Sequence, residues 1–398
     1  MKKSQNFEED IRGRKSKNEQ IELYLKSKYA FRFNTIKTKP EFSTLKPNAL
    51  YIPVSKFDIN SFKRELDSVG INTSSENIRT ILESDFSSKV HPVKDYFINL
   101  PTDKANSLDF TYKLANTVTV ANPSKWIEYF KKWLIGVVAN AMTDIGCQNH
   151  TCLVLTGDQG KFKTTWLDHL CPISLKSYLF TGKIDPQSKD VLTLIAEYLF
   201  INIDDQLKAL NKRDENELKN LITTPAVKYR RPYDIYIEEY PHLASFMASV
   251  NGNDFLTDPT GSRRFLPFEV LEIDIKSALN ISMDDVFIEI MSLYKQGYRY
   301  WFIDEEIKEL HRESQRFHVQ TLEYESLMEH FEKALGNDES FMTTTQILNE
   351  LRRNSSLTFS EKRMGEALKK AGFEKVQKRI NNQSYPVYGY RIKKIYSY

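Results

Sequence analysis

The sequence predicts an α/β fold from three short apolar runs, each of which ends in polar residues. The first run is followed by a glycine turn and Lys163. The second ends in the acidic pair Asp204 and Asp205, and the third ends in Asn251. Short apolar runs bounded by turns are typical of buried strands, so we expect an α/β core that carries polar groups at its strand ends.

The composition is that of an ordinary soluble protein. The chain has 398 residues, of which 27% are charged and 40% are hydrophobic, which is enough for two or three domains. The net charge is only +3, but basic residues outnumber acidic ones by 11 to 5 in residues 1–40 and by 12 to 4 in residues 341–398. Basic ends are one signature of nucleic-acid binding, and solvated charged tails are the alternative.

The three cysteines indicate a reducing compartment without a disulfide framework. The spacing of Cys147, His150 and Cys152 fits no common zinc pattern, so we expect no metal there. No secretory signal is visible at the start, and no run reaches the roughly 18 apolar residues needed to span a membrane. The expectation is a cytoplasmic protein without a membrane partner.

Four regions are predicted along the chain. Residues 1–118 are expected to form a mostly helical accessory or oligomerisation region, 119–300 the core, 301–340 a helical linker and 341–398 a basic module. Within the first region, Phe62, Leu66 and Val69 share one helix face, and a cap at Ser74 precedes a second helix. The core is expected to open with an amphipathic helix that starts at Asn122 and Pro123 and buries its tryptophans.

The first apolar run, residues 152–155, leads into the spacing of a phosphate-binding loop. In such a loop, backbone N–H groups wrap a phosphate chain, a lysine reaches the outer phosphates and a hydroxyl ligates magnesium. Phe162 departs from this pattern, because it places a Cβ and a ring where glycine is usual. The alternative is a glycine turn before a basic helix. The predicted nucleotide-binding residues are Gly157, Asp158, Gln159, Gly160, Lys161, Phe162, Lys163, Thr164 and Thr165.

The second apolar run lies within residues 192–203 and ends in Asp204 and Asp205. An acidic pair after a buried strand is the second signature of a phosphate-loop ATPase, in which one acid holds magnesium through water and the other polarises the attacking water. ATP and Mg²⁺ are therefore the expected cofactors, with Thr164 and Asp204 at the metal. A strand that ends in solvated acids is the alternative.

The third apolar run, residues 243–250, ends in Asn251, where a polar side chain is placed to sense a γ-phosphate or to position water. Beyond it, Arg263 and Arg264 are placed to stabilise charge in a transition state, often across a subunit boundary. The alternative for each arginine is a surface ion pair.

The segments GDQGKFKT, FINIDD, LKNLITTPAVKYRRPY, ASVN and DPTGSRRFLPF, in this order, resemble the virulence-associated protein E family. Members of that family are superfamily 3 helicase-like ATPases of phages, plasmids, satellites and integrated elements. The resemblance covers roughly residues 90–268 and implies a P-loop NTPase core of the AAA+-like, superfamily 3 helicase type. Family members often carry a primase-like domain upstream, which the short helices here do not provide. A separate primase or polymerase is therefore a candidate partner.

The resemblance also implies a role for each motif. Lys163 and Thr164 would bind nucleotide, and Asp204 and Asp205 would serve magnesium and water. Asn251 would be the sensor. The residue that reaches into the neighbouring subunit's site would be Arg263 or Arg264. Residues 227–240 contain alternating aromatic residues, which is typical of a β-hairpin. The resemblance places the basic residues of this hairpin against DNA in the channel of a ring. These residues are Lys228, Arg230 and Arg231.

The C-terminal module is expected to run helix, helix, hairpin, with its turn at Asn381 and Asn382. Together with its positive charge, this order resembles a winged helix, whose second helix lies in a DNA groove and whose wing contacts phosphate. A small packing or docking domain with a solvated basic face is the alternative. The DNA-contacting candidates are Lys362, Arg363, Lys369 and Lys370 on the second helix and Lys378 and Arg379 on the wing.

These expectations combine into a Mg-ATP-dependent, DNA-binding ATPase. We expect a ring-forming helicase, a hexamer, that acts on single-stranded or forked DNA during replication of a mobile genetic element. A non-hydrolysing DNA-binding initiator or scaffold, with its loop blunted by Phe162, is the alternative. A small-molecule kinase fits less well, because it needs neither a basic hairpin nor a basic C-terminal module. The motifs leave open whether the role is replication, defence or interference.

Overall fold

The computed structural model of the chain divides into two units. The first comprises residues 1–253 and 258–315, and the second comprises residues 254–257 and 316–398. The predicted linker of residues 301–340 is therefore shared between the two units. The structure describes residues 16–47, 49–102, 109–231, 235–257, 262–319, 321–334, 340–354, 357–379 and 385–395.

The first unit begins with a small α/β part, in which a four-stranded sheet that the sequence did not predict accompanies the predicted helices. Its strands form one sheet in the order β3-β2-β1-β4, in which β4 is parallel to β1 and the other pairs are antiparallel. The elements are α1 (Lys17–Lys28), β1 (Tyr29–Asn34), β2 (Lys39–Thr44), β3 (Ile52–Pro53), α2 (Lys56–Ser68), α3 (Ser75–Leu82) and β4 (Ser88–Val90).

The helices of this part form where their sequence predicts. The hydroxyl groups of Ser55 and Ser74 accept hydrogen bonds from backbone N–H groups in the first turns of α2 and α3. Phe62 and Leu66 are buried against the sheet side of α2. Val69, predicted on the same face, follows the last turn of α2 and is 37% exposed.

A long buried helix joins this part to the core. Helix α4 (Pro92–Ile98), helix α5 (Phe110–Ala115) and strand β5 (Val118–Val120) lead to helix α6 (Trp126–Met142). The predicted start at Asn122 is wrong by one turn, because Asn122 caps a turn and the backbone N–H of Trp126 donates to the carbonyl of Pro123. Trp126 and Trp133 are buried in the core, as expected.

The core is a six-stranded sheet in the order β5-β12-β6-β11-β8-β7. All adjacent pairs are parallel except β5 with β12. Strand β11 therefore lies between β6 and β8, although β11 comes last of the three in the chain. The strands are β6 (Cys152–Thr156), β7 (Leu179–Gly182), β8 (Phe200–Asp204), β11 (Ser245–Ser249) and β12 (Phe265–Ile273).

The carboxyl ends of these parallel strands lie at one edge of the sheet, where ligands bind in open α/β sheets. The three predicted strands are present, but the apolar run before Asp204 is divided between α8 (Asp190–Glu197) and β8. A 3₁₀ turn, Ile173–Tyr178, directly precedes β7. Helices α7 (Lys163–His169) and α9 (Lys212–Thr223) and the predicted hairpin, β9 (Ala226–Tyr229) with β10 (Glu238–Pro241), complete this region.

Helices α10 (Ile275–Leu279), α11 (Met283–Lys295) and α12 (Asp304–Ser314) close the first unit. Phe287 and Ile290 of α11 are buried in the same core cluster as the residues of α6. Over the ranges that the structure describes, no helix is long and apolar enough to cross a bilayer.

The second unit has its own core, and it contains the predicted helix, helix, hairpin order. Strand β16 pairs with β13, β14 and β15, all antiparallel, and Leu327, Met364 and Ile392 are buried between helices and sheet. The predicted turn at Asn381 and Asn382 lies outside the described residues. The elements are α13 (Leu322–His330), β13 (Phe331–Lys333), β14 (Phe341–Met342), α14 (Thr344–Asn354), α15 (Glu361–Lys370), β15 (Lys375–Lys378) and β16 (Val387–Lys394).

Candidate functional site

A tight loop connects β6 to α7 at the carboxyl edge of the central sheet. Gly157 has a φ of 123°, and a Cβ added there would lie 2.7 Å from the backbone oxygen of Val270 on β12. Gly160 has a φ of 84° and faces open space. Both positions need the conformational freedom of glycine, and Gly157 needs the absence of a side chain as well. The loop therefore sits directly against β12.

Phe162 precedes the first residue of α7 and adopts the left-handed backbone conformation, with a φ of 57° and a ψ of 21°. Left-handed backbone costs a residue with a Cβ roughly 1–2 kcal/mol. The ring is 54% exposed, so burial offsets little of this cost. The chain thus keeps at this position the conformation that a glycine would favour, with a bulky residue in its place.

Lys163 turns its ammonium group back into the loop. Its Nζ donates hydrogen bonds to the backbone oxygens of Gly157 at 2.9 Å and Asp158 at 2.6 Å, and to Oδ1 of Asn251 at 3.3 Å. Burial lowers the pKa of Lys163, and the nearby carboxylates, Asp205 first, oppose that shift. The ammonium is held by oxygens that a phosphate group could replace.

Three side-chain oxygens from different elements meet beside Lys163. Oγ1 of Thr164 and Oγ of Ser249 both donate to Oδ1 of Asp204 at 2.8 Å, and the two hydroxyl oxygens lie 3.0 Å apart. Hydroxyl and carboxylate oxygens are the hard ligands that Mg²⁺ prefers. The residues present therefore fit a magnesium ion. Sequence reasoning missed Ser249, whose trace in the sequence is a hydroxyl residue near the end of the third apolar run.

The second acid of the pair is bound by Asn251. Its backbone N–H donates to Oδ1 of Asp205 at 3.1 Å and its Nδ2 donates to Oδ2 at 2.8 Å. Asp205 has a φ of 45°, a left-handed conformation in which Asp is less strained than most residues. This backbone turns the carboxylate from the end of β8 toward the end of β11.

A polar contact under the site links α7 to β8. The buried Nδ2 of Asn202 donates to Oδ1 of Asp168 at 2.8 Å, and Oγ1 of Thr181 donates to the same oxygen at 2.6 Å. Asp168 lies on α7, whose first residues include Lys163 and Thr164. The contact fixes α7 against the strand that carries the acidic pair, and sequence reasoning did not identify it.

The remaining predicted loop residues lie at the surface. Asp158, Gln159 and Thr165 are exposed. Lys161 donates to the backbone oxygen of Leu271 at 2.7 Å and forms an ion pair with Asp158 at 3.3 Å. These contacts attach the outer part of the loop to β12.

The two arginines lie on the 3₁₀ turn Ser262–Arg264, immediately before β12. Arg263 is exposed. Arg264 is half-buried, and burial together with the charge of Arg263 lowers its pKa. Among the described residues, neither arginine forms a hydrogen bond or ion pair with Lys163 or the acidic pair, and Nε of Arg264 has no hydrogen-bond partner.

The hairpin separates its three basic residues. Lys228 and Arg230 are exposed, and Lys228 forms an ion pair with Glu239 across the hairpin at 3.1 Å. Arg231 is 8% exposed and lies 4.7 Å over the ring of Tyr240. DNA contact by the exposed pair stays a prediction, whereas the buried guanidinium of Arg231 is engaged within the chain.

Arg231 instead joins the hairpin to two other elements. Its guanidinium donates to the backbone oxygen of Ile36 at 2.8 Å and to Oγ1 of Thr38, both in the turn between β1 and β2. It also forms an ion pair with Glu197 of α8 at 3.2 Å. Arg231 is therefore a structural link between the hairpin and the N-terminal sheet.

The basic residues predicted for the C-terminal module belong to the second unit. Lys362, Arg363 and Lys369 are exposed on α15, and Lys378 and Arg379 are exposed at the end of β15. Lys370 is also exposed, and its Nζ lies 4.9 Å over the ring of Tyr324. Their placement leaves the DNA-contact prediction open for testing.

The cysteines are buried, and burial raises their pKa values. The pKa of Cys147 and of Cys171 rises to about 12, and that of Cys152 also rises. Across the described part of the chain, no group of three His, Cys, Asp or Glu side chains is arranged to hold a metal ion. The thiols are therefore neutral core groups at physiological pH.

Comparison with known proteins gives one family and one fold. The structure of an A form apo NrS-1 C-terminal region aligns with 94% of this chain and 99% of its own, at 11% identity and a TM-score of 0.50, which shows a similar fold. A second apo structure of that region, residues 305–718, aligns with 94% of this chain and 98% of its own, at 11% identity and a TM-score of 0.48. No curated protein matches the sequence. The profile of the virulence-associated protein E-like domain matches residues 105–320, more than half of the chain, so the chain belongs to that family.

Proposed function

We propose that the chain is a Mg-ATP-dependent, DNA-binding ATPase with a P-loop NTPase core of the AAA+-like, superfamily 3 helicase type. The observation that carries this proposal is one hydrogen-bonded cluster at the carboxyl edge of the sheet. In it, Lys163 contacts Asn251, Asn251 holds Asp205, and Thr164 contacts Asp204. The lysine, the hydroxyl, the acidic pair and the polar strand end are the groups that ATP hydrolysis requires.

Each residue has a role that its position supports. Lys163 releases its loop carbonyls and neutralises the outer phosphates. Thr164 and Asp204 would hold the magnesium ion. Asp205 polarises the attacking water, and Asn251 orients Asp205. A bound magnesium ion would neutralise charge that develops on the transferred phosphoryl group.

We propose that Arg263 and Arg264 act on the site of the neighbouring subunit. This explains why, among the described residues, they form no hydrogen bond or ion pair with the cluster of their own chain. Arg263 is exposed before β12 and is available to a neighbouring copy. A residue that completes the next subunit's site favours a closed ring, and we propose a hexamer. Hydrolysis in such a ring would move the chain along single-stranded or forked DNA as a replicative helicase of a mobile genetic element.

DNA contact is proposed for two basic groups. The first is the exposed pair Lys228 and Arg230 of the hairpin, and the second is the C-terminal module, proposed to be winged-helix-like. Phosphate contacts by Lys and Arg fix register without reading sequence, which suits a motor. A separate primase or polymerase would start synthesis on the unwound DNA strand. The module's proposed contacts are Lys362, Arg363, Lys378 and Arg379.

Mixing two inactive variants tests the subunit arrangement and the activity together. Lys163→Ala removes the nucleotide site but keeps the arginines, and the double variant Arg263→Ala with Arg264→Ala does the reverse. We expect each to hydrolyse no ATP alone and an equimolar mixture to regain part of the DNA-stimulated activity. Wild-type activity in the arginine double variant alone would refute the finger assignment, and a silent wild type would refute the ATPase.

A second candidate function is a non-hydrolysing DNA-binding initiator or scaffold. It is favoured by one observation, the left-handed backbone and exposed ring of Phe162 at the start of α7. This candidate predicts DNA binding by wild type without hydrolysis, and hydrolysis on Phe162→Gly substitution. The retained cluster of Lys163, Asp204, Asp205 and Asn251 favours the active enzyme, because a scaffold does not require it.

A further inference from the structure

Ser249 is the one group in the oxygen cluster that the proposed function does not use. It is the last residue of β11 and is 3% exposed. The parallel pairing of β11 with β8 sets Ser249 directly beside Asp204, and the pairing with β6 sets it beside Leu155. The backbone N–H of Asp205 also donates to the carbonyl of Ser249 at 3.0 Å. The position of the hydroxyl is therefore fixed by the sheet on both sides.

The hydrogen count of the cluster points to a cation. Thr164, Ser249 and Asp204 make three oxygen–oxygen contacts of 2.8, 2.8 and 3.0 Å. Each hydroxyl carries one hydrogen and a carboxylate carries none, so two hydrogens serve three contacts. At least one contact therefore has no hydrogen of its own, and lone pairs are left over in the cluster. A cation bound beside these oxygens would interact favourably with the spare lone pairs.

The contacts also separate two tasks within the cluster. Oδ1 of Asp204 accepts from both hydroxyls, and no described residue donates a hydrogen bond to its Oδ2. The bond from Ser249 thus anchors one oxygen and leaves the other for a metal-bound water. If Thr164 ligated the ion, its hydroxyl would no longer donate to Oδ1 of Asp204. The hydrogen bond from Ser249 would still satisfy that oxygen.

We propose that Ser249 is a positioning residue of the magnesium site, which sets the orientation of Asp204 and frees Thr164 to ligate the ion. This inference rests on the proposed Mg-ATP function of the same site. Groups that orient metal ligands by hydrogen bonding typically change metal affinity by 10- to 100-fold when they are removed. Ser249 therefore acts on magnesium affinity and leaves the contacts of Lys163 with phosphate unchanged.

The test measures binding of a non-hydrolysable, fluorescent ATP analogue by the full chain, in EDTA and across a magnesium titration. The variants are Ser249→Ala and Ser249→Thr, which keeps the hydroxyl on a side chain that strands accommodate. The control is Ser245→Ala, four residues earlier on the same strand, where a buried hydroxyl accepts from Asn149 at 3.1 Å. Bound Mn²⁺, counted by electron paramagnetic resonance, gives a second readout.

We expect Ser249→Ala to need about tenfold more magnesium for half-maximal binding and to bind Mn²⁺ correspondingly more weakly. Its affinity in EDTA should match wild type. Ser249→Thr should restore most of the magnesium dependence, and Ser245→Ala should behave as wild type. Thermal unfolding checks that each variant is folded at the assay temperature.

Two outcomes would overturn the inference alone. The first is a magnesium titration of Ser249→Ala that matches wild type. The second is a loss of analogue affinity in Ser249→Ala that is equal in EDTA and in magnesium, which would indicate a merely structural role. A wild type that binds the analogue in neither condition would instead overturn the proposed function, and the inference with it.

Discussion

Asn251 donates two hydrogen bonds to the carboxylate of Asp205, from its backbone N–H at 3.1 Å and from its Nδ2 at 2.8 Å. Its Oδ1 also accepts a hydrogen bond from Lys163 at 3.3 Å. One side chain thus holds the acid proposed to polarise water and the lysine proposed to bind phosphate. The relationship exists because β11 lies between β6 and β8 in the sheet.

We expect Asn251→Ala to lower ATP turnover about 100-fold, because a lost preorganised hydrogen-bond donor typically costs this much. Thermal stability should change little, since Asp205 is exposed and keeps its backbone hydrogen bond. Asn253→Ala is the matched control, because Asn253 bonds to Thr156 and Glu269 instead. Steady-state hydrolysis checks this, and equal turnover in wild type and Asn251→Ala would contradict it.

Phe162→Gly should stabilise the chain. Relief of left-handed strain gains roughly 1–2 kcal/mol, and the added freedom of the unfolded glycine costs roughly 0.5–1 kcal/mol. The net gain in unfolding free energy, measured by urea denaturation, is therefore at most about 1.5 kcal/mol, with a mid-range value of about 0.75 kcal/mol. Phe162→Ala is the control, because it removes the ring but keeps the Cβ. A gain in the alanine variant equal to that in the glycine variant would show that the ring, not the backbone, carries the cost.

Gly157→Ala should be far more damaging than Gly160→Ala. Both residues have positive φ values, 123° and 84°, but only the first lacks room for a Cβ, which would meet Val270 at 2.7 Å. Strain and overpacking together are expected to cost about 3 kcal/mol at Gly157, against about 1 kcal/mol of strain at Gly160. Urea denaturation and nucleotide binding report the difference. Similar losses at both positions would show that the loop does not pack on β12 as described.

Arg231→Ala should destabilise the fold, whereas Arg230→Ala should weaken DNA binding. Removing Arg231 leaves the carboxylate of Glu197 with one ion-pair partner fewer in a largely buried site, at an expected cost of about 3 kcal/mol. Arg230 is exposed, so its removal should lower the slope of log affinity against log salt by about 0.7–0.9. Denaturation and DNA titrations at several salt concentrations separate the two effects. A lowered salt slope in Arg231→Ala, with unchanged stability, would return that residue to the DNA interface.

Glu306 should make the first unit sensitive to acid. Burial alone would raise its pKa, but hydrogen bonds from Arg299 and Lys132 outweigh burial and lower the pKa to about 2, from a usual 4.5. The folded state therefore binds fewer protons than the unfolded state between these values, so stability falls as pH drops from about 4.5 towards 2, by at most about 3 kcal/mol. Urea denaturation against pH checks this. Glu306→Gln should lack this acid-dependent loss, and an identical pH profile in the two proteins would contradict the assignment.

Much of the site could be predicted from the sequence. Asp204, Asp205 and Asn251 directly follow apolar runs, and Lys163 follows a glycine turn after another such run. The structure brings these residues together. Ser249 was not identified, because isolated serines inside an apolar run do not interrupt the pattern of a buried strand. Its role depends on which strand lies next to it, and strand order is not local information.

The fold was less predictable where burial depends on distant contacts. The N-terminal sheet was missed because β1 is mostly half-buried, so its alternation of apolar and polar residues is weak. The family resemblance places Arg231 against DNA together with its neighbour Arg230. Only the docking of the β1–β2 turn against the hairpin separates the two arginines.

The most direct test of the proposed activity is ATP hydrolysis by the full chain, with and without single-stranded DNA. Wild type, Lys163→Ala and Phe162→Gly are compared at saturating magnesium. We expect DNA-stimulated hydrolysis by wild type and no hydrolysis by Lys163→Ala. No hydrolysis by wild type in either condition would contradict it, and activity regained by Phe162→Gly alone would establish the scaffold in its place.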